Sequence, residues 1–279
     1  MAKLNTVTSS TRPASPTAGE AYFETDTNKI IVWDGSAWTE LVSDTVPSFS
    51  NTYSVDFDGT NDYMSIADVD AFSLGNGSGT DNAFSISGWF NADSIGTFYV
   101  ATKDASGNRE WAFRTISNQL SFFTFGTGGG YIGRQYTTAL STGQWYHAVA
   151  TYDGSKASSG IKLYLNGSQV DNADYSGGTY TAALNTAAEV RICSLEKNGT
   201  FSDGKIDELA IFSSELSASD ITTLYNSGVP GDISSLSPVG WWRMGDNDSG
   251  TGTTVTDQGS GGNDGTLTNG PTFSSDVPS

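Results

Sequence analysis

What most constrains this chain is the recurrence, from Tyr53 onward, of apolar runs of four to eight residues cut apart by turn residues. They are Tyr53 to Phe57, Tyr63 to Ile66, Phe84 to Phe90, Phe98 to Thr102, Glu110 to Ile116, Leu120 to Phe125, Trp145 to Tyr152, Ile161 to Leu165, Glu189 to Cys193 and Lys205 to Phe212. Short strands at such spacing predict an all-β sandwich or barrel. Phe84-Ser85-Ile86-Ser87-Gly88-Trp89-Phe90 alternates apolar with small polar residues, so one face should be core and the other not. Asn166-Gly167 between Leu163 to Leu165 and Ser168 to Val170 is a strong hairpin signal. One short helix is expected after Ser217, capped by Ser217 and Asp220, with Ile221, Leu224 and Tyr225 on one face and Gly228 and Pro230 ending it.

Composition agrees: Gly is 33 of 279 residues, aromatics reach 12% and charged residues only 16%, which suits tight turns and short strands. Lys plus Arg total 13 against 31 Asp plus Glu, a formal charge of −18 that repels phosphate backbones and anionic lipid surfaces. Nucleic acid is thus excluded as a partner. Cys193 is the sole cysteine, so no intrachain disulfide can form. Met1 to Thr6 lacks the apolar core of a signal peptide, and no apolar run has bilayer length, so synthesis in the cytoplasm without membrane insertion is expected.

The chain divides into a small β module over 1–45, a linker over 46–52 and a large domain over 53–279. In the module, Glu20 to Thr25, Lys29 to Trp33 and Ala37 to Val42 read as a three-stranded meander turned at Asp26-Thr27-Asn28 and Asp34-Gly35. Its apolar residues, Tyr22, Phe23, Ile31, Trp33 and Trp38 among them, are too few for a private core in about 40 residues, so burial against sister chains is expected; docking on its own large domain is the alternative.

Catalytic constellations are missing where they were sought. A Ser-His-Asp system needs a histidine base, and the only one, His147, lies mid-strand; no Gly-x-Ser-x-Gly elbow occurs. Asp207 and Glu208 are neighbours, which on a regular strand point to opposite faces and cannot pair across a glycosidic bond. Gly128 to Gly133 fits GxGxxG formally, yet no helix follows, and it reads as a flexible loop. The expectation is a protein that is not an enzyme.

Several segments in order resemble the laminin-G-like, concanavalin A-like jelly roll: Val55 to Tyr63, Phe84 to Phe90, Gln144 to Gly154, Ile161 to Val170 and Gly204 to Phe212 running into the helix. The resemblance implies an antiparallel jelly-roll sandwich. Residues 238–279 are similar to the opening strands of such a domain but follow the others, so they either close a permuted domain or complete a neighbouring chain. Sugar recognition is the family's commonest role; host-surface glycans are the implied ligand, and Trp111, Tyr131 and Tyr136 are candidates for its aromatic platform. Calcium suits a chain rich in oxygen ligands, and the resemblance would gather Asp58 and Asp207, with Asp62 a third candidate. The N-terminal module, through Arg12 to Phe23 and Val32 to Trp38, is similar to short modules of tailed-phage fibre and capsid-decoration proteins. That similarity implies a virion-surface protein, a homo-oligomer, expected to be a trimer, attached to other capsid or tail proteins.

Overall fold

The computed structural model describes residues 5–27, 29–41, 49–196 and 199–279, and divides into two compact units, 1–50 and 51–279. The boundary read near 45 and the linker residues 46–48 lie outside the described residues, as does the Asn28 turn position.

The first unit is a four-stranded sheet, Asn5–Val7, Ala21–Glu24, Lys29–Trp33 and Trp38–Leu41, in that order. Its first strand, parallel to the second with Asn5 opposite Tyr22, carries no apolar alternation and was not legible in the sequence. Asp34 builds the last hairpin by accepting from the backbone N–H groups of Ser36 and Ala37 at 2.7 and 2.8 Å. Register places Tyr22, Ile31, Trp33 and Trp38 on one face, where Tyr22 and Trp33 each meet Trp38 edge-on at 5.7 and 5.5 Å. Phe23 belongs to the other face with Val32 and exposed Ile30. Ile31 is 3% exposed in the single chain, which withdraws it from the residues expected to meet a sister chain. Tyr22, Phe23, Trp33 and Trp38 are half-buried.

The second unit is a sandwich whose strands all pair antiparallel. One sheet has nine strands, ordered Ala173–Asp174, Tyr131–Gln135, Gln119–Phe125, Asn108–Ile116, Thr97–Ala105, Val190–Ile192, Tyr63–Ile66, Gly265–Thr268 and Thr254–Val255. The other has eight: Ser168–Gln169, Ile161–Leu165, Tyr146–Tyr152, Phe84–Ala92, Asp203–Phe212, Ser54–Asp58 and Thr272–Ser274 in order, with Gly240–Trp242 also paired to Asp203–Phe212. The closing strands thus complete the sheets of their own chain.

Between the sheets, Phe84, Ile86, Phe90 and Ile206 face Phe98, Trp111, Phe113 and Phe122 in one buried cluster. Phe84 stacks on Phe122 at 6.2 Å and Phe90 on Phe98 at 5.5 Å. The expectation that Phe84 to Phe90 has one open face is corrected. Ser85, Ser87 and Trp89 are buried too, because the helix Ala218–Tyr225 and its flanks cover that side. Ser85 Oγ donates to Ser214 O and accepts from Leu216 N, and Tyr225 stacks on Trp89 at 5.9 Å. The helix carries the Ser217–Asp220 capping box but ends at Asn226, in the left-handed region at φ 42°, before Gly228. The glycine-rich stretch also departs from expectation: beyond Gly130, residues Tyr131–Gln135 form a strand rather than a loop.

Candidate functional site

The outer face of the nine-stranded sheet carries a second, smaller aromatic cluster that strand alternation builds, with Ala112, Phe123 and Phe125 buried beneath half-buried Tyr131, Tyr175 and Leu184. Trp111, Phe113, Leu120 and Phe122 point into the core, so Ala112, Arg114, Phe123 and Phe125 point outward. Register then sets Phe123 beside Ala112 and Gly133, and Phe125 beside Tyr131. Tyr175 joins from the next segment through its backbone bond to Gly133 O. Tyr131 meets Phe123, Phe125 and Tyr175 at 5.7, 5.9 and 5.8 Å.

At the end of this surface lies an open cavity of about 410 Å³ lined by Arg109, Phe125, Tyr131, Leu184 and the glycines 107, 126, 129 and 130. Its size falls in the range of small-ligand pockets. Asp104, 3% exposed, grips Arg109 in a two-pronged ion pair, Nε–Oδ1 3.0 Å and Nη2–Oδ2 3.1 Å, and so lays the guanidinium over the Phe125 ring, 3.5 Å from its centroid. The glycines let the 126–130 turn approach residues 177–183: a Cβ on Gly130 would come within 2.5 Å of Gly177 O, and one on Gly126 within 2.5 Å of the Tyr180 ring. Gly177 in turn lies against Tyr131 so closely that a Cβ there would be 2.9 Å from the ring. The Tyr131 ring is therefore held before any ligand arrives, beside an arginine and the glycine turn. Such a floor can take the C–H face of a sugar while the polar groups meet its hydroxyls.

Of the residues singled out for a sugar platform, Tyr131 lines this cavity. Trp111 does not: it is fully buried, its indole Nε1 donates to Phe72 O at 2.8 Å, and Phe84 packs on it at 5.6 Å. Its position within the strand turns it inward. Tyr136 is half-buried against the main core and does not line the cavity. Sequence reasoning missed Arg109, Phe125 and Leu184; the outward phase of Phe123 and Phe125 opposite inward Leu120 and Phe122 was the available signal.

The calcium set is also corrected. Asp58 is exposed and accepts from Thr60 N at 2.8 Å, as a turn residue does, and Asp62 is buried beside it, with burial holding its carboxyl above the ordinary range. Asp203 pairs in register with Asp58, which puts Asp207 four residues, about 13 Å, farther along the strand. Asp207 is fully buried, accepting from Asn51 Nδ2 and Glu208 N, both at 2.8 Å. These residues do not fit a shared ion, and among the described residues no three His, Cys, Asp or Glu side chains are grouped to hold one.

Nor do Asp207 and Glu208 keep strict alternation. Glu208 has φ 45°, the strand slips register between Asp207 and Ala210, and both carboxyls are buried and feel Asp246. Trp241 Nε1 and Arg243 Nε donate to Glu208 at 2.6 and 3.0 Å, yet burial still pushes its carboxyl up to about 7, and that of Asp207 well above the ordinary range. His147 is buried, paired through Nε2 to Ser87 Oγ at 2.9 Å, and desolvation lowers it to about 3, so it is neutral.

Two antiparallel sheets, Greek-key-like crossovers and a covering helix define a jelly-roll domain of the concanavalin A type. Residues 58–222 match the family profile described as the concanavalin A-like lectin/glucanases superfamily, laminin-G-like branch, and the chain belongs to that family. A protein from Bacteroides ovatus, named as a candidate carbohydrate binder, is similar in structure at a TM-score of 0.59 and 18% identity, over 94% of this chain and 71% of that one. A heptameric SAP-like pentraxin from Limulus polyphemus matches at 0.45 and 13%, over 63% and 82%. The binding domain of Paraclostridial Mosquitocidal Protein 1 matches at 0.46 and 14%, over 71% and 51%. No curated protein matches the sequence.

Proposed function

We propose that this protein is a non-enzymatic, lectin-like carbohydrate-binding protein whose ligand lies in the Arg109–Phe125–Tyr131 cavity. The observation that carries it is a held aromatic floor with a clamped arginine at its side, on the outer face of a sandwich from a family whose description includes lectins. The Bacteroides ovatus likeness shares the fold and is named for the same kind of ligand. Glycan-array binding of the full chain tests it. Tyr131→Ala is expected to lower affinity by about tenfold or more, as loss of one aromatic contact of 1–3 kcal/mol would. An unchanged array profile for that variant would remove the cavity as the site.

A second reading concerns display. The separate N-terminal unit, with half-buried Phe23, Trp33 and Trp38 and exposed Ile30, supports attachment of the domain through that unit as a homo-oligomer at a virion surface, with the sandwich directed at host glycans. Light scattering on the full chain should give a multiple of the 29.4 kDa chain mass, three being the number expected. A monomer at micromolar concentration would end the oligomer reading.

A further inference from the structure

The chain has six arginines, and five stand against carboxylates: Arg12 on Glu24, Arg109 on Asp104, Arg134 on Asp171, Arg191 on Glu189 and Arg243 on Glu208. Arg114 is the exception: among the described residues it forms an ion pair with no carboxylate. In a chain with 31 acidic residues against 13 basic ones, that is an unusual place to leave a cation unneutralised.

Arg114 points outward from the same face as the cavity. Its guanidinium carbon lies 4.9 Å from the Phe123 centroid and 5.9 Å from that of Tyr99, and Nη2 donates to Tyr175 Oη at 3.2 Å. Its Nε is buried and meets no acceptor. That buried atom is beyond a ligand's reach, but Nη1 is not buried and meets no acceptor among the described residues, so the Nη1–Nη2 edge is the one that can meet a carboxylate or sulfate. The acidic groups nearby are engaged elsewhere: Asp104 by Arg109, Asp171 by Arg134, and Asp174 by Ser158 Oγ at 2.6 Å. Ser121 lies opposite Arg114, and Phe125 is four residues along, so about 13 Å of strand separates the arginine from the cavity. Half-buried Tyr131 and Tyr175, packed on buried Phe123, form an aromatic strip over that interval.

We infer that this face binds an acidic oligosaccharide, one ring seated in the Phe125–Tyr131 cavity and a carboxylate or sulfate of another unit held by Arg114. The inference rests on the carbohydrate reading and narrows it to a ligand class. The net charge of −18 makes the claim demanding, since affinity for an anion must come from local contacts against the field of the whole molecule.

Calorimetric titration of the full chain tests it, with oligogalacturonates and sulfated dextran oligomers against neutral dextran oligomers of equal length, and sodium sulfate alone as the anion control. Acidic oligomers should bind at least about tenfold more tightly than neutral ones, and Arg114→Met should lose about tenfold or more for the acidic set, the worth of one charge-assisted pair. Arg114→Lys should recover part of that loss, and Arg191→Met, on the same sheet beside Tyr63 but outside the strip, should leave affinity unchanged. Melting curves confirm that each variant folds; should Arg114→Met not fold, the parent's preference for acidic oligomers and the Arg114→Lys affinity decide. Equal affinity for neutral oligomers, an unaffected Arg114→Met, or sulfate alone binding as well as the oligomers would overturn the inference while leaving the carbohydrate reading. Binding of neither acidic nor neutral oligosaccharides would end both.

Discussion

Glu208 adopts φ 45° inside a ten-residue strand, a left-handed conformation that costs a non-glycine residue energy and is retained only where surroundings enforce it. Trp241 and Arg243 supply that enforcement by bonding both carboxylate oxygens. Burial raises the Glu208 carboxyl to about 7 and Asp207 above its ordinary value, so the folded state holds protons there that the unfolded chain has released. That contribution is complete below about pH 4.5 and is lost as pH rises through about 7. His147 acts oppositely: lowered to about 3, it favours folding as pH rises toward 6.5 and adds no slope beyond. The two offset each other up to about pH 6.5, and carboxyls held below their ordinary values, such as Asp174 and Asp232, titrate lower still. The melting temperature is therefore expected to fall from pH 6.5 to 8, and Glu208→Gln to flatten that fall, measured by a fluorescence melt at each pH. A parent curve that rises over this window would contradict the assignment.

Among elements, hairpins and the helix were legible because their signals are local. Ser217 and Asp220 lie three apart and close on each other's backbone, and Asn166-Gly167 supplies two positive φ angles, 48° and 78°. Ser217→Ala should cost about 1 kcal/mol, read as a lower urea midpoint with unchanged slope. The strand Tyr131–Gln135 was hidden because its glycines suggested a loop, whereas Gly133 serves close strand packing: a Cβ there would lie 2.5 Å from Phe123 Cβ and 2.6 Å from Phe122 O. Gly133→Ala should destabilise by about 1–3 kcal/mol through overpacking and disturb the aromatic strip with it, seen together as a lower urea midpoint and weaker glycan binding. Trp111 marks the limit of local reading, since a strand over Glu110 to Ile116 can be read from the sequence while which of its faces meets the core cannot, and strand phase sends Trp111 inward.

At the scale of the whole molecule, −18 charges on 279 residues repel one another across the surface. Raising sodium chloride from about 0.01 to 0.15 M, which shortens the screening length from about 30 to 8 Å, should raise the melting temperature. A fall would mean that specific ion pairs outweigh the general repulsion. By itself the sequence determined the all-β class, most strand positions, the helix cap and the net charge, because each depends on periodicity, neighbours a few residues apart, or simple addition. Only the tertiary structure decided which aromatics form a second cluster outside the main core, that Asp58 and Asp207 lie apart, that Glu208 leaves the strand's alternation, and that Arg114 alone among the arginines pairs with no carboxylate among the described residues. Those outcomes depend on register between strands distant in the chain, and a one-residue shift in register exchanges the two faces of a strand.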